Sequence, residues 1–351
     1  MANKTKAKQQ QKQSPPQQKR PAKFLRGGLS PQGETTKNIP QYLTALVDPF
    51  NGTTIGAKIP DQDLSYSATA YSDTEQTFAT DGTYGVAAAF FYPDPSSDWA
   101  PLTASGATNV NVPATWASSS TVPNISSIRA AFGLARCVAW GVRIYCPLNT
   151  QVAGGRIHVC LVPLDYAQSA GYAGAIPNSV STMQQLPGYQ NFSLQTLIDQ
   201  PLLVTGRMSD TSGAYRYRDV GVPWNLGSAQ ITAGVESSAG WLGIQVIVEG
   251  APISVSAFSV EVRKHYECLV KGNTGVGVIH ASAPMPYQPA VLAATNNIVS
   301  AVPAVRVTNA DGSDEDQLFK DLHSAWKTGL QVANGVGNAV EWMAGLVGMF
   351  L

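Results

Sequence analysis

The sequence lacks the short motifs that identify the common enzyme classes. It contains no phosphate-binding P-loop, no glycine-rich dinucleotide turn after a strand, and no Gly-x-Ser-x-Gly elbow of a serine hydrolase. The regular alternation of strand and helix patterns typical of parallel α/β enzymes is also missing. A multi-turnover hydrolase is therefore the least favoured interpretation of this chain.

Cysteine and histidine are scarce, with four residues of each in 351. The cysteines are Cys137, Cys146, Cys160 and Cys268, and the histidines are His158, His265, His280 and His323. These residues are scattered without the paired spacing of a zinc site. The cysteines lie in or beside apolar, strand-like runs, so we expect buried free thiols, which suit a reducing compartment, rather than disulfides.

Acidic residues are absent from the start of the chain, where Glu34 is the first. The basic residues of the first 26 positions are Lys4, Lys6, Lys8, Lys12, Lys19, Arg20, Lys23 and Arg26. They give this stretch a charge of +8 and leave 23 − 8 = 15 basic against 23 acidic residues, a net of −8, on the rest. Gln and Pro fill the gaps, so we expect residues 1–38 to form a disordered basic arm that binds RNA without sequence choice. A solubilising tail or a targeting signal is the alternative.

Short Val-, Ile-, Tyr- and Phe-rich runs separated by Gly, Pro, Ser and Asn predict an all-β domain over residues 64–272. The candidate strands are Leu64–Tyr71, Thr83–Tyr92, Cys137–Cys146, Arg156–Pro163, Leu202–Met208, Trp241–Glu249 and Ser254–Leu269. We expect an eight-stranded antiparallel jelly-roll β-sandwich, with long surface loops over Pro93–Ser127, Asp165–Gln200 and Ser209–Ala239. A slip in the alternation at Ala257–Phe258 predicts a β-bulge.

Residues 39–63 carry frequent glycine and proline and are predicted to be an extended connector. Within the connector, Ile39 to Val47 favours a short helix. Residues 273–309 are predicted to be a strap that leads from the β domain to the end of the chain.

An amphipathic run follows the strap. Its apolar residues recur at helical spacing and are Leu318, Phe319, Leu322, Trp326 and Leu330. Ser313 and Asp316 resemble a capping box, which places the helix start near Asp314. Beyond Asn334 the chain is rich in glycine and nearly uncharged, with Trp342 and Phe350 among its large apolar residues. Two interpretations stay open: a terminal helix that docks on the core, and a membrane-active segment that is stored and then released.

The Asn309-Ala310 bond lies between the apolar strap and the acidic helix start. An asparagine side-chain amide can attack its own backbone carbonyl, close a succinimide and expel the amine of the next residue. The reaction needs a fixed near-attack geometry and a group that moves protons. A buried carboxyl group is suited to that second task.

The layout resembles the coat proteins of the insect nodaviruses, the alphanodavirus group. The basic arm comes first, and the segment from Ala45 to Asp61 resembles an Asp-containing apolar motif of that family. Gly240-Trp241 before a Val/Ile-rich run resembles a second family motif, and Ser300 to Ala310 resembles the family's cleavage strap. A tail with Trp and Gly that ends near a Phe follows in both.

The resemblance implies a structural capsid protein of a non-enveloped positive-strand RNA virus. It implies a T=3 icosahedral shell around single-stranded RNA, with assembly in the host cytoplasm and residence in the virion. It also implies one autocatalytic cut at Asn309-Ala310, with Asp48 as the protonated general acid/base, which frees a membrane-lytic peptide of 42 residues, 310–351. Asp61 and Asp63 are alternatives to Asp48. Calcium at subunit interfaces is a further expectation, with no ligands assigned.

Two other classes remain as alternatives. One is a tombusvirus-like capsid protein that never cuts itself, and the other is a cellular jelly-roll binding module. The module leaves the charge division between arm and body unexplained.

Overall fold

The chain folds around two antiparallel β-sheets in the computed structural model. The structure describes residues 40–63, 65–95, 99–101, 103–104, 110–111, 130–163, 179–220, 240–271 and 281–308, together with 320, 322–324 and 326–327. The fold is an all-β sandwich with few and short helices, as the sequence predicts.

The described residues contain thirteen strands. In chain order, β1 to β13 are Ser67–Ala79, Ala87–Phe91, Trp99–Pro101, Thr103–Ala104, Val110–Asn111, Phe132–Tyr145, Arg156–Pro163, Gln190–Ser193, Leu202–Thr205, Arg218–Asp219, Leu242–Glu249, Ser256–Val270 and Val305–Val307. The helices α1 to α5 are Gln41–Val47, Val180–Met183, Thr196–Asp199, Thr211–Ala214 and Pro289–Ala301, and a 3-10 turn spans Gly52–Thr54.

Eight of the strands pair as one long ribbon that has been folded and rolled. The antiparallel pairs β1·β12, β2·β11, β6·β9 and β7·β8 are nested, so that each pair encloses the next along the chain. Rolling the ribbon also brings β12 beside β6 and β11 beside β7. The result is one sheet of order β1-β12-β6-β9-β13, with β10 paired to β6, and a second sheet of order β3-β2-β11-β7-β8. This topology is a jelly roll.

The core lies between the facing sides of the two sheets. Phe78 of β1 stacks on Phe258 of β12 at 4.9 Å between ring centroids and meets the edge of Phe91 of β2 at 5.9 Å. These rings join the two sheets, and such aromatic pairs add about 0.5–1.5 kcal/mol beyond their burial. The four cysteines are buried and unbridged, as expected.

The predicted bulge occurs at Ala257. Phe78 pairs with Phe258 and Ala79 pairs with Ser256, so Ala257 is the extra residue. Because the extra residue shifts the alternation by one, both Ala257 and Phe258 are buried.

Several strand and loop boundaries differ from those predicted. The strand predicted over Leu64–Tyr71 is Ser67–Ala79, because polar residues continue a strand whose outer side faces solvent. The stretch Asp165–Gln200, predicted as loop, contains β8 and two short helices, and the other two predicted loops contain β3 to β5, β10 and α4. β8 is polar in sequence, Gln-Asn-Phe-Ser, and pairs at the edge of its sheet, so it carries no apolar run that would reveal a strand.

Candidate functional site

Residues 40–63 and the segment that begins at residue 281 meet on one side of the six-stranded sheet, which consists of β1, β12, β6, β9, β13 and β10. This side faces away from the sandwich core and carries Arg136, Arg263, His265 and Glu267. Lys58 Nζ donates to Ser282 O at 3.1 Å and to Ala283 O at 3.0 Å, and Gln288 N donates to Pro60 O at 3.1 Å. Residues 40–63 and 281–301 therefore form one layer over this side, which we call the terminal layer.

Asp48 lies in the terminal layer at the end of α1. Residues 42–47 of this helix are all buried, and Asp48 itself is only 8% exposed. Pro49 ends the helix because a residue before proline is disfavoured in helical conformation, and Asp48 has φ −140° and ψ 87°. The Asp48 carboxylate accepts a hydrogen bond from Phe50 N at 3.1 Å. The predicted helix over 39–47 thus occurs as Gln41–Val47, and the connector is more buried than its composition suggests.

The backbone carbonyls around Asp48 are held by side chains from two strands. Arg306 Nη2 donates to Val47 O at 2.7 Å, and Arg263 Nη1 donates to Phe50 O at 2.9 Å. His265 Nε2 lies 2.7 Å from Pro49 O. The turn that carries Asp48 is therefore fixed on both sides of the residue.

His265 holds Pro49 O as a neutral donor. Burial lowers the pKa of the imidazole, the bond to Pro49 O raises it, and the charge of Arg263 lowers it again, with a net result below its ordinary value of 6.5. Asp48 acts on the same ring with an opposing, weaker charge effect. Because Pro49 O can only accept, the ring nitrogen facing it carries the proton.

The strap runs along the edge of the six-stranded sheet. After α5, the residues of β13 pair with β9 through Val305 to Val204 and Val307 to Leu202. Thr308 then donates from both its backbone N and its Oγ1 to Pro201 O, each at 2.8 Å. Asn309 and Ala310 lie outside the described residues, directly after this anchored position.

The two alternative carboxylates are engaged elsewhere. Asp61 forms a salt bridge with Arg136, which also binds Glu267 at 2.7 Å. Asp63 Oδ1 accepts from Ser65 N at 2.8 Å. Burial by itself would raise the pKa of Asp63, but hydrogen bonds from Ser65 and the charge of Arg136 hold it below its usual range.

The described residues of the C-terminal helix, which lie between 320 and 327, pack on the body. Leu322 is fully buried in the core cluster, and Trp326, four residues later, packs against that cluster. Lys320, Ser324 and Lys327 are exposed. This spacing is that of an amphipathic helix with its apolar side docked.

The other residues predicted to act on a membrane lie outside the described residues; they are Leu318, Phe319, Leu330, Trp342 and Phe350. The same holds for the eight basic residues predicted to bind RNA. In the described part of the chain, no helix is both long and apolar enough to cross a bilayer. No group of three or more His, Cys, Asp or Glu side chains is placed there to hold a metal ion, and the calcium expectation stays a prediction.

Sequence reasoning missed the residues that fix Asp48. Arg263 and His265 belong to no motif, Arg306 lies in the strap motif without a role predicted for it, and the three are 213 to 259 residues away from their partners in the chain. Alternation along β12 places Arg263 and His265 on its outer side, which was the only available signal.

Comparison with solved structures identifies the same fold in virus shells. The structure of infectious bursal disease virus, Gx strain, matches with a TM-score of 0.55 at 12% identity, over 81% of this chain and 99% of that one. The VP2 subviral particle of infectious bursal disease virus matches with a TM-score of 0.51 at 11% identity, over 75% and 95%. T=1 particles derived from infectious bursal virus match with a TM-score of 0.50 at 12% identity, over 81% and 95%.

No protein-family model matches the sequence. No curated protein matches it either. At 11% to 12% identity the structural likeness establishes a shared fold, the jelly roll of viral capsid proteins.

Proposed function

We propose that this chain is the capsid protein of a small non-enveloped RNA virus and assembles with copies of itself into an icosahedral shell. The observation that carries the proposal is the rolled ribbon of four strand pairs, shared over 75% or more of the chain with structures described as viral particles. In its finer form, following the alphanodavirus resemblance, the shell has T=3 symmetry and encloses positive-strand RNA. The protein then resides in the virion and assembles in the host cytoplasm.

In this proposal the two ends of the chain have different functions: the basic arm binds RNA, and the tail acts on a membrane. Residue 40, which follows the basic arm, lies in the terminal layer, whereas Thr308, which precedes the tail, lies at the end of β13 on the edge of the same sheet. In this proposal the basic arm binds RNA phosphates by releasing counterions.

Autocatalytic cleavage at Asn309-Ala310 is the chemical part of the proposal. The side-chain nitrogen of Asn309 attacks its own carbonyl carbon, the bond from that carbon to Ala310 N breaks, and a succinimide forms. The proton lost by the side-chain amide is delivered to the departing amine of Ala310, and Asp48 is the group that carries it. Water is not consumed until the succinimide opens. The burial of Asp48 and the bond from Arg306 to Val47 O support this role.

Assembly is the trigger in this scheme. Packing of neighbouring subunits removes water from the terminal layer and restricts Asn309 to a near-attack geometry. The tail, docked through Leu322 in the described state, is then no longer covalently attached and acts on the host membrane during entry.

Expression of the full chain tests shell formation and self-cleavage separately. Electron microscopy should show shells if the capsid proposal is right. A soluble monomer that does not bind RNA would favour the cellular binding module. Denaturing gels of purified shells show two bands if the chain cuts itself and one band if it is a non-cleaving, tombusvirus-like capsid protein. Mass spectrometry should find a fragment that begins at Ala310.

Single-residue variants test which side chain is the nucleophile and which carries the proton. Asn309→Ala and Asp48→Asn shells are expected to form and to keep full-length chains. Asp63→Asn serves as the matched carboxylate control and should be cut like the parent. Full cleavage in Asn309→Ala shells would refute the nucleophile, and cleavage lost in Asp63→Asn but kept in Asp48→Asn would move the proton carrier to Asp63.

A further inference from the structure

β1 is a long strand at an open edge of the six-stranded sheet. It runs over 13 residues, Ser67–Ala79, and among the described strands it pairs only with β12. The strands at the other ends of the two large sheets, β13, β3 and β8, have only 3, 3 and 4 residues. A long unpaired edge presents a row of backbone N–H and C=O groups that can pair with a strand of another chain.

The contacts of Ser67 identify the residues of β1 that face this open edge. Ser67 N donates to Ser282 O at 3.3 Å, and Ser282 N donates to Ser67 O at 3.0 Å, so both backbone groups of Ser67 point away from β12. Alternate residues of a strand direct their backbone groups to the same edge. The register with β12 is unbroken from Ser67 to Phe78. The residues whose backbone groups face the open edge are therefore Thr69, Tyr71, Asp73, Glu75 and Thr77.

Both ends of this row are already engaged. At one end Ser67 is bonded to Ser282, and Lys58 Nζ also donates to Ser67 O at 2.9 Å. At the other end Gln76 Nε2 donates to Thr77 O at 2.9 Å. Between these ends lie four exposed residues with no backbone bond on their open side in the part of the chain that the structure describes: Thr69, Tyr71, Asp73 and Glu75.

This window of four residues is symmetric about Ser72. A second copy of β1 can lie antiparallel to the first, with a two-fold axis at Ser72. Thr69 then lies opposite Glu75 of the second copy, and Tyr71 lies opposite Asp73 of the second copy. Each facing pair can exchange two N–H···O bonds, and the symmetry repeats every pair. All four open residues are matched, and neither engaged end is needed.

A shift of the axis by one residue along β1 is disfavoured in either direction. With the axis at Asp73, this carboxylate would face its own copy, and like charges directly opposite each other destabilise a strand pair. With the axis at Tyr71, Glu75 would face Ser67, whose backbone groups are already bonded. The axis at Ser72 avoids both conflicts.

Arg263 offsets the like charges that remain closest in this register. The two copies of Asp73 are diagonal neighbours across the axis, which is a longer separation than that of a directly facing pair. Arg263 Nη2 of the same chain lies 2.5 Å from the Asp73 carboxylate. Each carboxylate therefore has a cation of its own before the strands pair.

We propose that β1 is a two-fold contact between copies of this chain, in which two β1 strands pair over Thr69 to Glu75 and join two six-stranded sheets into one. The capsid proposal requires contacts between copies and does not specify them. This contact involves only described residues, and it is independent of the proposed cleavage.

Cross-linking of the full chain tests the register. In a Thr69→Cys/Glu75→Cys variant the two positions face each other across the axis, with Cβ atoms about 4.5–5.5 Å apart. Ethanediyl bismethanethiosulfonate, a short reagent that bridges two thiols, should then give a dimer band on a denaturing gel. The single variants Thr69→Cys and Glu75→Cys are the matched controls, because each position lies about 20 Å from its own copy along the paired strands. The four native cysteines are buried.

Proline at position 71 tests the backbone bonds. Tyr71→Pro removes an N–H that faces the open edge and no bond to β12, and proline is tolerated at such edge positions. In the double-cysteine chain it should lower the cross-linked fraction by at least about tenfold, because the ring blocks a ladder bond of the added strand. Tyr71→Ala removes the same side chain but keeps the N–H, and it should retain the dimer band.

The outcomes separate this contact from the capsid proposal. Double-cysteine protein that stays monomeric on the gel overturns the pairing, and so do single variants that cross-link equally well or Tyr71→Pro protein that cross-links as well as Tyr71→Ala. If Tyr71→Pro does not fold, the comparison of double and single cysteine variants decides alone. Shells without the cross-linked dimer refute the β1 contact and leave the capsid proposal intact. Cross-linked dimers that form no shells support the contact and count against the capsid.

Discussion

Gly141 of β6 is the position at which one added methyl group should disturb the Asp48 turn most directly. A Cβ at this glycine would lie 2.8 Å from Val204 O and 2.9 Å from Pro49 Cγ. Both distances are shorter than real Cβ contacts, and Val204 O is backbone that also belongs to the sheet. Gly141→Ala should therefore push the neighbouring strand β9 away from β6, and the turn after Asp48 away from the sheet. Overpacking of this kind typically costs about 1–3 kcal/mol.

Gly133→Ala on the same strand is the matched control. Its Cβ would meet only the flexible side chain of Lys271, at 3.3 Å from Cγ. Both variants gain the same stabilisation from a less flexible unfolded chain, about 0.4–1 kcal/mol, so the difference between them isolates the steric effect. Urea unfolding of dissociated subunits, followed by tryptophan fluorescence, should show Gly141→Ala less stable than Gly133→Ala by about 1–3 kcal/mol. Equal midpoints would contradict the packing described for Pro49, and equal cleavage in shells would show that the turn is not needed for the cut.

Three further predictions concern the outer side of the six-stranded sheet and the docked helix. Arg136→Met should destabilise the subunit by about 3–5 kcal/mol in urea, because Glu267 would keep its hydrogen bonds from Ser67 Oγ and Ile59 N but lose the cation that offsets its buried charge; adding Glu267→Gln should recover part of the loss, and no recovery would contradict the pairing. Acidification below about pH 6.5 should lower stability, because the unfolded chain protonates His265 before the folded chain does. The slope is at most about 1.4 kcal/mol per pH unit, and His265→Gln should flatten it. Leu322→Ala should speed hydrogen exchange in the docked helix while the exposed-site control Lys320→Ala leaves it unchanged.

The sequence was sufficient to predict the class of fold because the strands that build the core carry their burial in their composition. Arg156–Pro163 occurs with the predicted bounds, and the slip at Ala257 marks a real bulge. Edge strands are different. Gln190–Ser193 has one side in contact with solvent and pairs with a single neighbour, so nothing in its composition separates it from a loop.

The surroundings of Asp48 were hidden for a related reason. A backbone carbonyl accepts a hydrogen bond from any suitably placed donor, so the residues that hold Val47 O and Pro49 O leave no pattern near position 48. Arg306 and His265 are brought there by sheet topology, because β13 and β12 belong to the sheet on which α1 packs. Local propensity contains no information on such long-range placement.

If the proposed cut at Asn309-Ala310 occurs, the docked helix is held only by its non-covalent contacts, of which those of Leu322 and Trp326 are described. While the chain is intact, the segment around Leu322 rebinds at the millimolar effective concentration that a short linker provides. Burial of one leucine contributes about 1.5–3 kcal/mol, and the half-buried Trp326 adds part of a side chain more. For these two side chains a total near 4 kcal/mol, before the entropy cost of association, corresponds to a dissociation constant of about 1 mM at the tightest. Inside a closed shell the cut tail would stay near its site at that concentration, whereas opening of the shell dilutes it and lets it leave. As far as the contacts of Leu322 and Trp326 go, the proposed cleavage followed by shell opening would therefore be enough for release.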